Sequence, residues 1–423
     1  MHSFLDFLNH SHSQYHVVSN LEQMLQGEGF TRLCRKDAWE VVAGGKYYVK
    51  NGDSALVAFR VPAATPSRFL ITASHTDRPT FKIKENPALV GQYTRLSTEK
   101  YGGMLMSTWL DRPLSIAGRV VVETENGVAT KLLDIDRDLL LIPNVAIHMN
   151  RKANEGYAYN PAVDTLPLLS TGDSKQAFAD LLEAAAGGKI LGHDLYLYLR
   201  QKAMVWGIQE EFISGQALDD LACVWGCIQG FMKAEPTDAI PVLAVLDSEE
   251  VGSATNQGAD STFLADTLSR ICDGLQLEEK QLLAGSMLIS ADNAHAVHPN
   301  HPELSDANNA PVPGAGVVIK FNANGRYTTD GLSAGVFRKI CRKANVPVQT
   351  YCNRADIAGG STLGAISLGH VSVMSVDIGL AQLAMHSCYE TMAAKDMEYL
   401  VAAVSAFYGA SFREDGEGNL EIG

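Results

Sequence analysis

The 423-residue chain has no long apolar run, no paired-cysteine motif and no basic cluster, and each absence narrows its function. No stretch approaches the roughly 18 to 20 apolar residues needed to span a bilayer, so a transmembrane protein is not expected. The amino-terminal MHSFLDFLNHSHSQYHVV has no basic segment ahead of an apolar one, and no signal peptide is read there. Seven cysteines, at 34, 223, 227, 272, 341, 352 and 388, never form a C-x-x-C pair. That argues against a disulfide framework or zinc knuckle and points to a reducing compartment. Cys223 and Cys227, four apart in an apparent helix, read as buried small hydrophobes. The 34 basic residues are outnumbered by 48 acidic ones, and no Lys/Arg cluster offsets the net charge of -14. Such a surface repels phosphate backbones, so nucleic acid is not an expected partner. Internal repeats and low-complexity segments are also missing. These absences together lead us to expect a soluble, cytoplasmic protein.

A hydrophobic content of 46% with only 19% charged residues excludes dominant disorder. At roughly 150 residues per domain the length implies two or three domains with real cores. Val17, Leu21, Met24 and Leu25 fall on one helical face, ended by Gly27 and Gly29. The texture then becomes β-like in YYVKNGDSALVAFRV and RFLITASH, with Asn51-Gly52 as a hairpin signal. Residues from about 90 to 200 hold further strand-like pieces (SIAGRVVVET, VATKLLDID, LYLYL), a helical stretch from Ser174 to Gly188, and the Pro-marked segment LLLIPNVAIHMNR.

From about 205 the order becomes β-α-β-α. Helices are expected at 217–234, 261–272, 331–344 and 395–408, between the strands PVLAVLD, SMLISAD, GVVIKFN, VPVQTYC and VSVMSVD. Near-continuous apolar strands alternating with helices define an α/β fold, its mostly parallel central sheet covered by helices on both faces. The natural division is a discontinuous domain, 1–90 and 205–423, interrupted by an inserted β-rich domain at 91–204.

Acids and histidines recur where apolar strands end, the place where ligands gather in open α/β sheets. RFLITASHTD supplies His75 and Asp77; VLAVLDSEEVGS supplies Asp247, Glu249 and Glu250; MLISADNAHAVHP supplies Asp292, His295 and His298. His386 follows the strand ending at Asp377, and Asp219-Asp220 open a helix. Two histidines with several carboxylates suit two divalent ions, with zinc, cobalt and manganese all compatible. One carboxylate can bridge the ions and another, kept off them, can take a proton from water. The adjacent Glu249-Glu250 suits both duties, and Asp77 can fix the His75 tautomer. Each residue alone also has an ordinary reading: a structural His, an N-cap Asp, solvated surface acids. At this level a di-metal hydrolase and a chance collection of surface acids both stay open.

At these motifs the sequence resembles the aspartyl aminopeptidase family of co-catalytic zinc peptidases, as a bacterial-type member. The segments SHTDRPTFKIK, YGGMLMSTWLDRPLSIAGRV, LDSEEVGSATNQGADS, SADNAHAVHPN and AMHSCYE carry the likeness, supported by IPNVAIHMNR and IKFNANGRYTTD. The resemblance implies two zinc ions per subunit, replaceable by cobalt or manganese, and hydrolysis of N-terminal residues, acidic ones preferred, from short peptides. It implies His75, Asp219, Glu250, Asp292 and His386 as ligands, with Asp219 bridging, Glu249 as general base and Asp77 orienting His75. His148 would meet the substrate of a partner subunit, while His295 and Lys320 would line the pocket for the substrate's side chain. It also implies dimers, formed through the inserted domain, that assemble into a hollow homododecamer.

The chain departs from the family pattern at several points. Asp220 stands where an Asn is usual, Ala217 where an Arg is usual, Arg78 replaces a small Ser, Pro113 an acid, and Gly359 a frequent Cys. These bear on substrate preference, and leave neutral residues such as Leu or Met open as substrates. A deacylase of N-acyl amino acids and a non-catalytic assembly protein are the competing readings; an unligated base such as Glu249 argues against the second.

Overall fold

The structure, a computed structural model, describes residues 1–235, 237–415 and 419–423. At its centre lies a nine-stranded sheet. In spatial order its strands are Thr31–Leu33, Lys46–Asn51, Ala55–Arg60, Ala239–Leu246, Arg68–His75, Met287–Ala291, Met374–Gly379, Val317–Phe321 and Val348–Cys352. Five of its eight pairings are parallel. The three antiparallel ones flank Ala55–Arg60 on both sides and join Val317–Phe321 to Met374–Gly379. Asn51-Gly52 turns the expected hairpin, and Gly52 takes the left-handed conformation (φ 60°) that such a turn requires.

Strand alternation builds two cores from one sheet. In Ala239–Leu246 every residue is buried. Ala239, Leu243 and Val245 enter the core under one helical layer, and Ile240, Val242, Ala244 and Leu246 enter the other. Period-2 side-chain direction with apolar residues at both phases leaves no solvent face, so helices must cover both sides. One layer holds Gln14–Gly27, Leu218–Lys233, Gly331–Lys343 and Ala394–Tyr408; the other holds Phe263–Leu275 and Glu279–Ala284. Leu218–Lys233 is buried on nearly all sides, because Gly226 and Gly230 let Leu400 and Val404 of Ala394–Tyr408 approach where a Cβ would intrude. The amino-terminal helical pattern is two helices, His2–His10 and Gln14–Gly27.

A second, wholly antiparallel sheet has the order Gly127–Asp134, Leu114–Thr124, Ile190–Leu199, Thr80–Val90, Tyr93–Tyr101, Leu168–Thr171. Its own core includes Phe81, Trp109, Ile116, Phe178 and Leu197, with helix Lys175–Ala186 packed on it. Thr80–Val90 leaves the central sheet only five residues after His75, so the second sheet starts beside the candidate site. No helix among the described residues is long and apolar enough to cross a membrane.

Candidate metal centre

The strand ends of the central sheet converge. His75 closes its strand and is 1% exposed. Its Nδ1 lies 3.3 Å from Asp77 Oδ1, and its Nε2 lies 3.5 Å from Asp219 Oδ1. Asp219 and Asp220 stand at the head of Leu218–Lys233 in non-helical conformations, so the chain turns both carboxyls into the site before the helix settles. On its other oxygen Asp219 faces His386, with Nε2 at 3.5 Å, and the same Nε2 lies 3.4 Å from Glu250 Oε1. One carboxylate therefore sits between two imidazoles. Asp292 follows its strand directly, and its side chain joins His75, Asp219 and Asp220 in a cluster whose ligand atoms all lie within 4.8 Å of one another. Two further clusters of that kind are His75, Glu249, Glu250 and Asp219, Glu250, His386.

The short 3-10 turn Glu249–Val251, preceded by Ser248 at φ 65°, is pinned from below. The Glu249 N–H donates to Asp77 Oδ1 (3.1 Å) and the Glu250 N–H to Asp77 Oδ2 (3.2 Å). Asp77 thus meets His75 and fixes the turn carrying Glu249 and Glu250. The His75 N–H donates to Asp220 Oδ2 at 3.2 Å.

Crowding of acids sets the electrostatics. Burial pushes the Glu249 carboxyl up to about 8, with Asp292, Asp77 and Asp219 adding to the rise. Burial likewise raises Asp292 to about 6 and Asp247 to about 7. Asp219 runs the other way: burial acts to raise it, but the imidazoles of His386 and His75 hold it below the ordinary range. The buried atoms Asp219 Oδ1, Asp220 Oδ1 and Glu250 Oε1 have no hydrogen-bond partner among the described residues. A buried polar atom without a partner is costly, and several carboxylate oxygens facing imidazole nitrogens can be satisfied together by a divalent cation. The donor set, two His with carboxylates, fits zinc.

The remaining sequence-derived residues lie further out. His295 borders a cavity with His298, His301, Tyr351, Arg354 and Met385, its ring 6.0 Å from Tyr351. Lys320 is turned inward from its strand and 2% exposed; its Nζ donates to the Asp292 carbonyl (2.7 Å) and lies 3.7 Å from Asp292 Oδ2. His148 is exposed, in the irregular segment after Ile142, and joins none of the three clusters. Sequence reading passed over Glu390. Its buried carboxylate accepts the Asp219 N–H (3.0 Å) and the His386 N–H (2.7 Å), tying together the backbones of two residues of the centre. The one signal for it was an acid four residues after His386 in AMHSCYE.

An α/β sheet whose strand ends gather imidazoles and carboxylates is the architecture of a metal-dependent hydrolase. Comparison with known proteins narrows the class. The family described as "Aminopeptidase I zinc metalloprotease (M18)" matches residues 7–408. A "Probable M18 family aminopeptidase 2" of Clostridium acetobutylicum is 43% identical over 420 residues, covering 96% of this chain and 97% of its own. A protein of the same description from Pseudomonas savastanoi is 38% identical over 418 residues, with 96% and 97% covered. Among solved structures, a chain of the "Ape4 and Nbr1 complex" aligns with a TM-score of 0.93 at 35% identity, over 96% of this chain and 85% of that one. The "S. cerevesiae mApe1 dodecamer" aligns with a TM-score of 0.85 at 25% identity, over 96% and 95%. The chain belongs to the M18 family of zinc aminopeptidases.

Proposed function

We propose that the enzyme removes N-terminal residues from short peptides at a two-zinc centre. His75, Asp219 and Asp292 would hold one ion, and Asp219, Glu250 and His386 the other. The observation that carries this reading is the Asp219 carboxylate between His75 and His386, each of its oxygens 3.5 Å from one imidazole nitrogen. When bound, the two ions supply Lewis acidity that polarises a carbonyl and acidifies water. Glu249, fixed through its N–H on Asp77, takes the attacking water's proton at its carboxylate and returns it to the leaving amine. Asp77 presents its carboxylate to His75 Nδ1 and so leaves Nε2 toward the centre. The surrounding carboxylates favour a protonated α-amine, which would confine cleavage to chain ends.

Acidic N-terminal residues are the proposed preference, with His295 at the cavity edge as a polar partner for the substrate's side chain. For Lys320 to pair directly with a substrate carboxylate it would have to leave the Asp292 carbonyl. His148 is assigned to the substrate of a neighbouring subunit, with 91–204 as the inserted domain that brings two chains together. The proposed assembly is a homododecamer built from dimers. The dodecameric relative supports it, as do the exposed apolar side chains Val145, Ile147, Met149 and Ile208. The seven unpaired cysteines suit a cytoplasmic location.

A panel of aminoacyl substrates with Asp, Glu, Leu, Met and Lys at the N-terminus, assayed after chelation with and without Zn²⁺, Co²⁺ or Mn²⁺, tests this reading. Metal-restored release of Asp or Glu is expected. Release of neutral residues alone would overturn the acidic preference, and no metal-dependent release would overturn the function.

A further inference from the structure

The second sheet reaches the metal centre through one short stretch. Strand Tyr93–Tyr101 ends on a phenol whose OH donates to Asp77 Oδ2 at 2.7 Å. Burial, reinforced by Asp77, pushes that phenol's pKa far up, so it remains a donor. The ring is held edge-on against Tyr196 of the same sheet, centroids 5.6 Å apart at 81°. The next residue, Gly102, takes φ 75° and passes against Glu250; a Cβ there would meet Glu250 Cβ at 3.1 Å and its carbonyl oxygen at 3.3 Å. Gly103 then passes the His386 ring, where a Cβ would lie 3.9 Å from Nδ1, and the Leu105 N–H donates to the His386 carbonyl at 3.0 Å. Three consecutive residues therefore lie against Asp77 and Glu250, which follow two strands of the central sheet, and against His386, in the connection between Ala381–Leu383 and Glu390–Ala393.

We propose that residues 101–103 of the second sheet act as a template for the metal ligands, with Tyr101 as a positioning residue that fixes the Asp77 carboxylate. Asp77 has few directions left: it accepts from the Glu249 and Glu250 N–H groups and faces His75 Nδ1. Among the described residues, the Tyr101 hydroxyl is its remaining side-chain donor and comes from the second sheet. Removing it leaves Asp77 Oδ2 on the Glu250 N–H alone, which loosens the hold of the carboxylate on His75 and on the Glu249–Glu250 turn. The second sheet then has a duty at the centre beyond any part in assembly, and a movement of that sheet is felt as a change in metal affinity. This inference rests on the assignment of His75, Glu250 and His386 as zinc ligands.

The experiment is a zinc titration against a chromogenic chelator, run on wild type, Tyr101→Phe and Tyr196→Phe, together with the visible spectrum of each Co²⁺-loaded protein. Partners that orient a metal-binding His are typically worth about 10–100-fold in metal affinity. Tyr101→Phe is expected to lose zinc affinity within that range and to change the Co²⁺ spectrum, while its size-exclusion profile stays that of wild type. Tyr196→Phe keeps the ring contact and the Asp77 bond and should match wild type in every readout. Gly102→Ala is the second probe, expected to weaken one of the two ions through Glu250 and to report even if Tyr101→Phe fails to fold. Wild-type affinity and spectrum in both Tyr101→Phe and Gly102→Ala would overturn the template alone. A wild-type protein that binds no zinc would overturn the ligand assignment as well.

Discussion

The two halves of the proposed centre are built differently. His75 closes a strand in the middle of the sheet and is 1% exposed, with Asp220 and Asp292 buried around it. His386 stands on a connection at φ 67°, its side chain 34% exposed, held by its N–H on Glu390. Asp219 belongs to both halves. One half is thus part of the hydrophobic framework and the other is strapped onto it, so the first should hold its ion through conditions that empty the second. Affinity here follows from how far the protein has already fixed its ligands before a metal arrives.

The largest expected effect ignores that asymmetry. Glu249→Gln should lose about 10²–10⁴-fold in turnover, the usual worth of a positioned acid–base group, with the zinc content of both halves unchanged. A variant that stays fully active would show that Glu249 is not the base. Next, the two histidines should separate the halves. His75→Ala leaves Asp219, Asp220 and Asp292 crowded without their imidazole, and breaking such a buried charge network costs about 3–5 kcal/mol, read as a lowered denaturation midpoint. His386→Ala should fold with a smaller loss and keep one zinc. Equal destabilisation by both would erase the proposed difference.

Chelation sharpens it further. Timed dialysis against a chelator should release one zinc per chain well before the other, and in His386→Ala the early fraction should be missing. Protonation of the buried acids gives a further test. In chelated protein Asp292 stands at about 6, Asp247 at about 7 and Glu249 at about 8, all raised by burial, and His75 is raised as well because Asp219 and Asp77 outweigh its burial. Groups raised on folding bind more protons folded than unfolded, so their contribution is present at low pH and lost as pH rises between about 4 and 8. Each extra proton is worth about 1.4 kcal/mol per pH unit. Chelated protein should therefore melt higher at pH 6 than at pH 8, and zinc-loaded protein should show a weaker trend.

Much of this was legible in the order of residues. Alternation in Ala239–Leu246, with apolar side chains at both phases, implied a sheet covered on two faces, and Asn51-Gly52 implied its hairpin. An acid or His at each strand end implied convergence, and His75, Asp219, Glu250, Asp292 and His386 do share clusters. Strand neighbours were not legible, because pairing between Ala55–Arg60 and Ala239–Leu246 joins segments some 180 residues apart, and local pattern holds no record of it. Nor was the inward turn of Lys320, which depends on which face of its strand meets Asp292. Glu390 and Tyr101 escaped for a common reason: they act through other side chains, on backbone N–H groups or on Asp77, and residues of that kind carry no spacing signature.

Zinc counting tests the centre most directly. Protein saturated with zinc and freed of excess by gel filtration should carry two ions per chain by elemental analysis. Asp219→Asn, which weakens the one carboxylate shared by both halves, should lose at least one of them while remaining folded. A single ion in the wild type, or an unchanged count of two in Asp219→Asn, would contradict a centre bridged by Asp219.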